Sequence, residues 1–226
     1  MSLTRFKIAR AVTMRLPEIV PHLSERARLF ALKAYAFYAS SVRDLTKKFY
    51  DGRLDYTAFV DSMENLVISQ LRIAWFEGME ANGLTEDDMT TEWAAMLREI
   101  IMSEQDHIPD FALAIEKARR AESPIAPLMS RADMWGNRYN DVVNQAKVIT
   151  AEKGQKLEWV YGDTDHCETC LSLNGIVAYA SEWAASPYHP QQPPNDYLDC
   201  GGWRCKCQLR PTKKRRTKNV AEILGL

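Results

Sequence analysis

The first 166 residues contain no cysteine, and all five cysteines fall between positions 167 and 207. No run of about 18 apolar residues occurs, so no transmembrane helix and no membrane partner are expected. The N-terminal "MSLTRFKIARAVTMRLPEIVPHL" lacks a continuous apolar stretch followed by a small-residue cleavage site, so no secretory signal is expected. Synthesis in a reducing cytoplasm follows from that reading, and stable disulfides are disfavoured there. An excess of one charge is also missing: 29 basic and 30 acidic residues leave a formal net charge of −1. No global field then draws the chain to nucleic acid or anionic lipid, and such affinity has to come from a local patch. The sequence has no phosphate-cradling glycine loop and no nucleophile motif, so no catalytic residue is assigned and no small-molecule substrate is expected. On this reading the chain is not an enzyme. No internal repeat is found.

What is present divides into two textures. The 226 residues are 46 % hydrophobic, enough for a sizeable core. From about residue 20 to 153, helical spacing dominates. Pro21 can open the first helix. Leu29, Leu32, Tyr35, Ala36, Ala39 and Val42 would form its apolar face, and Gly52 stops it. Phe59, Met63, Leu66, Val67, Leu71, Ala74 and Trp75 make the broad stripe of a second helix. Thr85, followed by Glu86, Asp87 and Asp88, is expected to cap a third helix running through Trp93, Met96, Leu97, Ile100 and Ile101. Pro109 interrupts it. "FALAIEKARRAE" resumes the pattern. A last long helix carries Met134, Trp135, Tyr139, Val142, Val143 and Ile149, with Gly154 as its C-cap. Short joins between such segments point to a mainly antiparallel helical assembly.

After Gly154 the period changes. "LEWVYG" alternates, with Leu157, Trp159 and Tyr161 on one side, and "GIVAYA" and "CKCQLRP" read as further short strands. The expected fold class is mainly α: a multi-helix region (1–154), a small α+β cysteine-rich domain (155–210) and a basic tail (211–226). About 55 residues of the second texture bury too little surface to hold themselves together, and modules of that size need a staple.

The cysteines suit that task. Cys167 and Cys170 form a Cys-x-x-Cys pair, which in a tight turn aims two sulfurs at one centre. Cys200 and Cys205 bracket "GGWR" and can supply a second pair, with Gly201 and Gly202 allowing a tight turn. Four such donors fit a structural Zn2+ in a closed tetrahedron. Cys207 is the spare thiol and could replace Cys205, because alternate residues of a strand share a face. His189 and His166 are alternative nitrogen donors. Two other readings compete. The thiols could simply pack or form a disulfide. A redox Cys-x-x-Cys would need Cys167 at a helix N-terminus, where the dipole lowers a thiol's pKa. Asp163, Asp165 and Glu168 oppose that lowering. Trp203, between the cysteines, is expected to cover the metal knob.

A helical region, then "DTDHCETCLSLNG", a Pro/His-rich loop and a closing "CKCQLRP" together resemble the phage Mu F-like minor head protein family, the phage head morphogenesis proteins. The positions that carry the resemblance are Trp159, Asp165, Cys167, Cys170, Leu173, Gly175, Cys205, Lys206, Cys207 and Leu209. Members often place His-Pro shortly before the closing Cys-x-Cys. Here His189–Pro190 lies well upstream, and Cys200 occupies the approach. The resemblance implies a minor capsid protein of the bacteriophage virion that acts in head assembly and DNA packaging. It implies a place at the portal vertex or in the head interior, with the portal or major capsid protein as partner.

One dense basic run, "KKRRTK", supplies Lys213, Lys214, Arg215, Arg216 and Lys218. It can neutralise phosphates of phage DNA, or be a solvated, disordered end. The apolar Val220, Ile223 and Leu224 could instead dock the tail into a groove on a partner.

Overall fold

Among the described residues, eight α-helices, one 3-10 turn and three strands follow one another. The computed structural model describes residues 23–226 apart from 163 and 204, with side chains from Ala34 onward. The expected helix start at Pro21 and the apolar Leu29 and Leu32 therefore lie outside what is described. Helix α1 is Leu23–Tyr50. Its buried face is Ala34, Tyr38, Val42, Thr46 and Phe49, a ladder three or four residues apart, while Ala36 is exposed. Of the expected face, Val42 is buried, and Tyr35 and Ala39 are half-buried beside the ladder.

Helix α2 is Tyr56–Glu80, begun where Asp55 Oδ1 accepts from the Ala58 N–H at 2.7 Å. Its buried side holds Phe59, Met63, Val67, Leu71, Ala74 and Trp75, as the stripe required. Thr85 does not open the third helix. It caps the 3-10 turn Glu86–Asp88, its N–H donating to Asp88 Oδ2 at 2.7 Å. Helix α3, Thr91–Gln105, starts instead at Thr90, whose Oγ1 accepts from Trp93 N–H. Two hydroxyl-plus-acid signals lie within a few residues, and the second one is the cap. Helix α4 is Ile108–Arg120 and helix α5 is Ala126–Ile149, each with a proline in its first turn, where the missing N–H costs nothing. Helix α5 ends before Gly154, which lies in a separate turn.

Helix α5 is the spine. Leu128, Ala132, Trp135, Tyr139, Val142, Val143 and Ala146 join α1 to α4 in one apolar core. Contact with α2 is closest at Gly78, where a Cβ would lie 2.5 Å from Ala146 Cβ and 2.6 Å from the Val143 carbonyl oxygen. Only a residue without a side chain fits there. Arg138 bridges α3 and α5, its Nε 2.5 Å from Glu104 Oε1 and its other arm on Asp141.

The opposite side of α5 carries the C-terminal module. Strands β1 (Lys156–Val160), β2 (Val177–Tyr179) and β3 (Gln208–Pro211) form an antiparallel sheet in the order β2-β1-β3. Leu157 pairs with Ala178 and Pro211, and Trp159 with Leu209. Between the strands lie short helices α6 (Glu168–Leu173) and α7 (Ala180–Ala185). Tyr161 falls just past β1, and residues 205–207 precede β3 rather than belonging to it. Asn144 Oδ1 accepts from the Leu209 N–H, pinning the sheet to the spine.

The tail is not a loose end. Thr217 N–H donates to the Val177 carbonyl, and Thr217 Oγ1 accepts from Val177 N–H, both at 2.9 Å. A final turn of helix, α8 (Val220–Leu224), inserts Val220 and Leu224 into the module's core beside Trp183 and Leu157. Both are fully buried. The apolar spacing that suggested docking to a partner serves this chain's own core instead, with Ile223 on the outside. Residues 34–226 accordingly form one compact unit.

The Gly78 contact makes a measurable demand. Gly78→Ala would raise helix propensity in isolation, yet should lower stability by about 1–3 kcal/mol through overpacking against α5. Urea unfolding checks it, and a midpoint at or above that of the parent chain would contradict the packing described.

Candidate metal centre

The module's core is unusual in composition. Cys170, Cys205 and Cys207 are buried among Trp159, Leu173, Trp183, Leu198 and Leu209. Cys167 and Cys200 lie at its half-exposed rim. All five thiols are free.

Local structure explains how they meet. Cys167 is the N-cap of α6, its Sγ accepting from the Cys170 N–H at 3.4 Å, which turns both sulfurs the same way. Asp199 Oδ2 accepts from Thr169 N–H at 2.9 Å and from Thr169 Oγ1 at 2.7 Å. That clasp ties the Cys200 loop to α6, and it holds the Asp199 carboxyl below its usual pKa range. Gly201 and Gly202 take φ of +60° and +79°, the left-handed turn that a side chain disfavours. On the third approach, Gly162 lies so close to the Lys206 carbonyl that a Cβ would be 2.0 Å from its oxygen. Gln191 Nε2 donates to the Cys207 carbonyl at 2.8 Å.

The sulfurs form two overlapping groups. Cys167, Cys170 and Cys200 lie within 4.8 Å of one another, and so do Cys170, Cys205 and Cys207. Cys170 Sγ is 3.8 Å from Cys205 Sγ. A disulfide needs about 2.0 Å. Two thiolates on one tetrahedral ion at about 2.3 Å per bond stand about 3.8 Å apart. The cluster could therefore hold a metal ion, and the donor set is soft.

Protonation agrees with that chemistry. Hydrogen bonds to Cys205 and Cys207, then burial, push the Cys170 thiol far up. Burial pushes Cys200 up to about 11. Cys205 is pulled down by Cys170 but up by Cys207 and burial, and ends above the ordinary range. Cys207 and Cys167 go the other way. Thiol hydrogen bonds from Cys170 and Cys205, helped by the Gly162 N–H, overcome burial and lower Cys207 to about 4. At Cys167 burial opposes ionisation, but hydrogen bonds involving Cys170 and Cys200 outweigh it and bring the thiol down. Protons and a cation compete for these sulfurs, so metal affinity should fall as pH falls.

Of the residues anticipated from sequence, Cys167, Cys170, Cys200, Cys205 and Cys207 all belong to the cluster. His189 does not. It lines a cleft against α5 with Asp141, Asn144, Gln145 and Pro190, and burial lowers its pKa. The nearby histidine is His166, with Nδ1 3.9 Å from Cys207 Sγ and its ring stacked on Tyr161 at 3.9 Å between centroids. Trp203 is 40 % exposed, and Asn137 Nδ2 donates to its carbonyl oxygen. Trp159, fully buried in the same apolar cluster, and the Tyr161–His166 pair flank Cys207. Sequence reasoning missed the Asp199–Thr169 clasp and Gly162, because both depend on which loops meet.

The basic residues are not equivalent. Lys214 Nζ is 2.6 Å from Glu158 Oε1. Arg216 pairs with Glu182 and lies over the Tyr179 ring. That pairing keeps the Glu182 carboxyl below its usual range. Lys213, Arg215 and Lys218 are exposed, with no acidic partner among the described residues.

No helix among the described residues is long and apolar enough to cross a membrane. No family model, no curated protein and no solved structure matches this chain.

Cys170 is common to both sulfur groups, so Cys170→Ala should abolish metal retention, while His189→Ala should leave metal content unchanged. Elemental analysis of protein purified under reducing conditions reads both, and metal loss in His189→Ala would refute the assignment.

Proposed function

We propose that this chain is a structural protein of a bacteriophage head, with a C-terminal module stapled by Zn2+, acting in head assembly and DNA packaging at or near the portal. The observation that carries the reading is the meeting of the resemblance residues. Trp159, Cys170, Leu173, Cys205, Cys207 and Leu209, spread over 51 positions, share one buried cluster. Three soft sulfurs within 4.8 Å of one another, with a histidine at the edge, favour zinc over hard, oxygen-seeking cations. A stapled knob on a rigid spine suits an anchor against the portal or the major capsid protein. The chain would be made in the host cytoplasm and carried in the virion.

Mass spectrometry of purified particles of the phage that encodes this chain tests the placement. The chain should be present there, and its deletion should leave heads unfilled or misassembled. Recovery only outside particles, with normal filled heads after deletion, would sink the proposal.

Zinc makes a separate demand. A chelator at neutral pH should unfold the module while most helical circular dichroism persists, with Trp159 and Trp183 fluorescence shifting red. An unfolding profile unchanged by chelator would rule out a structural metal.

The exposed Lys213, Arg215 and Lys218 support a second role, contact with packaged or ejected DNA. Three phosphate contacts give a slope of log K against log salt of about −2.7. Filter binding over a salt series reads it, and a slope near zero would exclude that role.

A further inference from the structure

Five sulfurs exceed what one tetrahedral ion can bind, and their arrangement is not that of four ligands and a bystander. Cys167, Cys170, Cys200 and Cys205, the set expected from spacing, are not one group. The sulfurs form two triads that overlap at Cys170. A metal placed in either triad leaves two cysteines of the other outside it.

We propose that the centre is binuclear, with the Cys170 thiolate bridging two Zn2+ ions. A thiolate sulfur has lone pairs enough to bind two ions at once. Cys167 and Cys200 complete the sulfur donors of the first ion, and Cys205 and Cys207 those of the second. His166 stands at the edge of the second triad, outside the 4.8 Å group of its three sulfurs, and a turn of its side chain would make it the fourth donor of the second ion. Its Nδ1 is 3.9 Å from Cys207 Sγ, near the about 3.5 Å that separates a nitrogen and a sulfur on one tetrahedral zinc. The imidazole is stacked on Tyr161, with 14° between the rings. The first ion lies towards the half-exposed rim, where Cys167 and Cys200 leave its fourth position to water.

With all five sulfurs ligated as thiolates, two Zn2+ ions leave the site a net charge of −1. Loading releases the thiol protons, and no redox step is involved.

The inference rests on reading the cluster as a zinc site, and metal stoichiometry separates the two claims. The full-length chain, produced with zinc and freed of loosely bound metal, should carry two zinc ions by elemental analysis and native mass spectrometry. One ion per chain overturns the binuclear centre and leaves the zinc reading standing. None overturns both. Cadmium replacement adds a readout independent of any variant's folding. Two cadmium resonances coupled to each other through the shared sulfur are expected, and a single resonance would overturn the proposal. His166→Ala should release one of the two ions at lower chelator concentration than the parent chain does. Simultaneous release of both, at the parent's concentration, would remove His166 from the second site.

Discussion

Everything in the C-terminal module depends on gathering five thiols at one point. Three strands, three short helices and long loops cannot bury much apolar surface by themselves. Cys170, Cys205 and Cys207 lie inside that small core, where leucines would otherwise pack, with Cys167 and Cys200 at its rim. Without a cation their ionisation is opposed by burial and by one another. Only Cys207 and Cys167 fall below the ordinary range. A thiophilic ion reverses this balance, because each metal–sulfur bond replaces a thiol–thiol contact and cross-links segments remote in sequence. The loop clasped by Asp199, the turn at Gly201–Gly202 and the close approach at Gly162 all serve to bring those segments within reach.

The module is joined to the helices through α5. This helix is buried on the side facing α2 and again on the side facing the sheet. Polar groups handle the junction. Asn144 receives the Leu209 N–H, Asn137 reaches the Trp203 carbonyl, and Asn82 at the end of α2 bonds the Lys147 carbonyl, Thr150 and Gln155. Arg138 between Glu104 and Asp141 completes a nearly buried ionic bridge along the same helix. Such bonds are directional, so they set orientation where apolar contact alone would allow sliding. A module held this way presents its surface in a defined direction relative to α5.

Much of this was readable before any coordinates. Phe59 through Trp75 announced the buried face of α2 because period and composition agreed. The cysteine spacing announced a cluster because five soft donors in a cysteine-free background have few other uses. Other elements were hidden for identifiable reasons. Thr85 and Thr90 are equally good caps by composition, and the chain path after Gly83 selects Thr90. His189 looked like a donor because it precedes proline in the expected loop, but the loop turns it towards α5. Val220 and Leu224 carry the same spacing whether the groove they fill is another protein's or their own.

The amino-acid sequence by itself determined the helical period, the change of texture after Gly154 and the identity of the donor atoms, because these follow from local patterning and from chemistry. Tertiary structure alone decided how the donors are grouped. Cys170 belongs to both triads, His166 replaces His189 at the edge, and Lys214 and Arg216 are spent on internal pairs. Those outcomes depend on which loops meet in space. Spacing along the chain does not encode that, since contacts between segments 30 to 60 residues apart are set by the packing of the whole core.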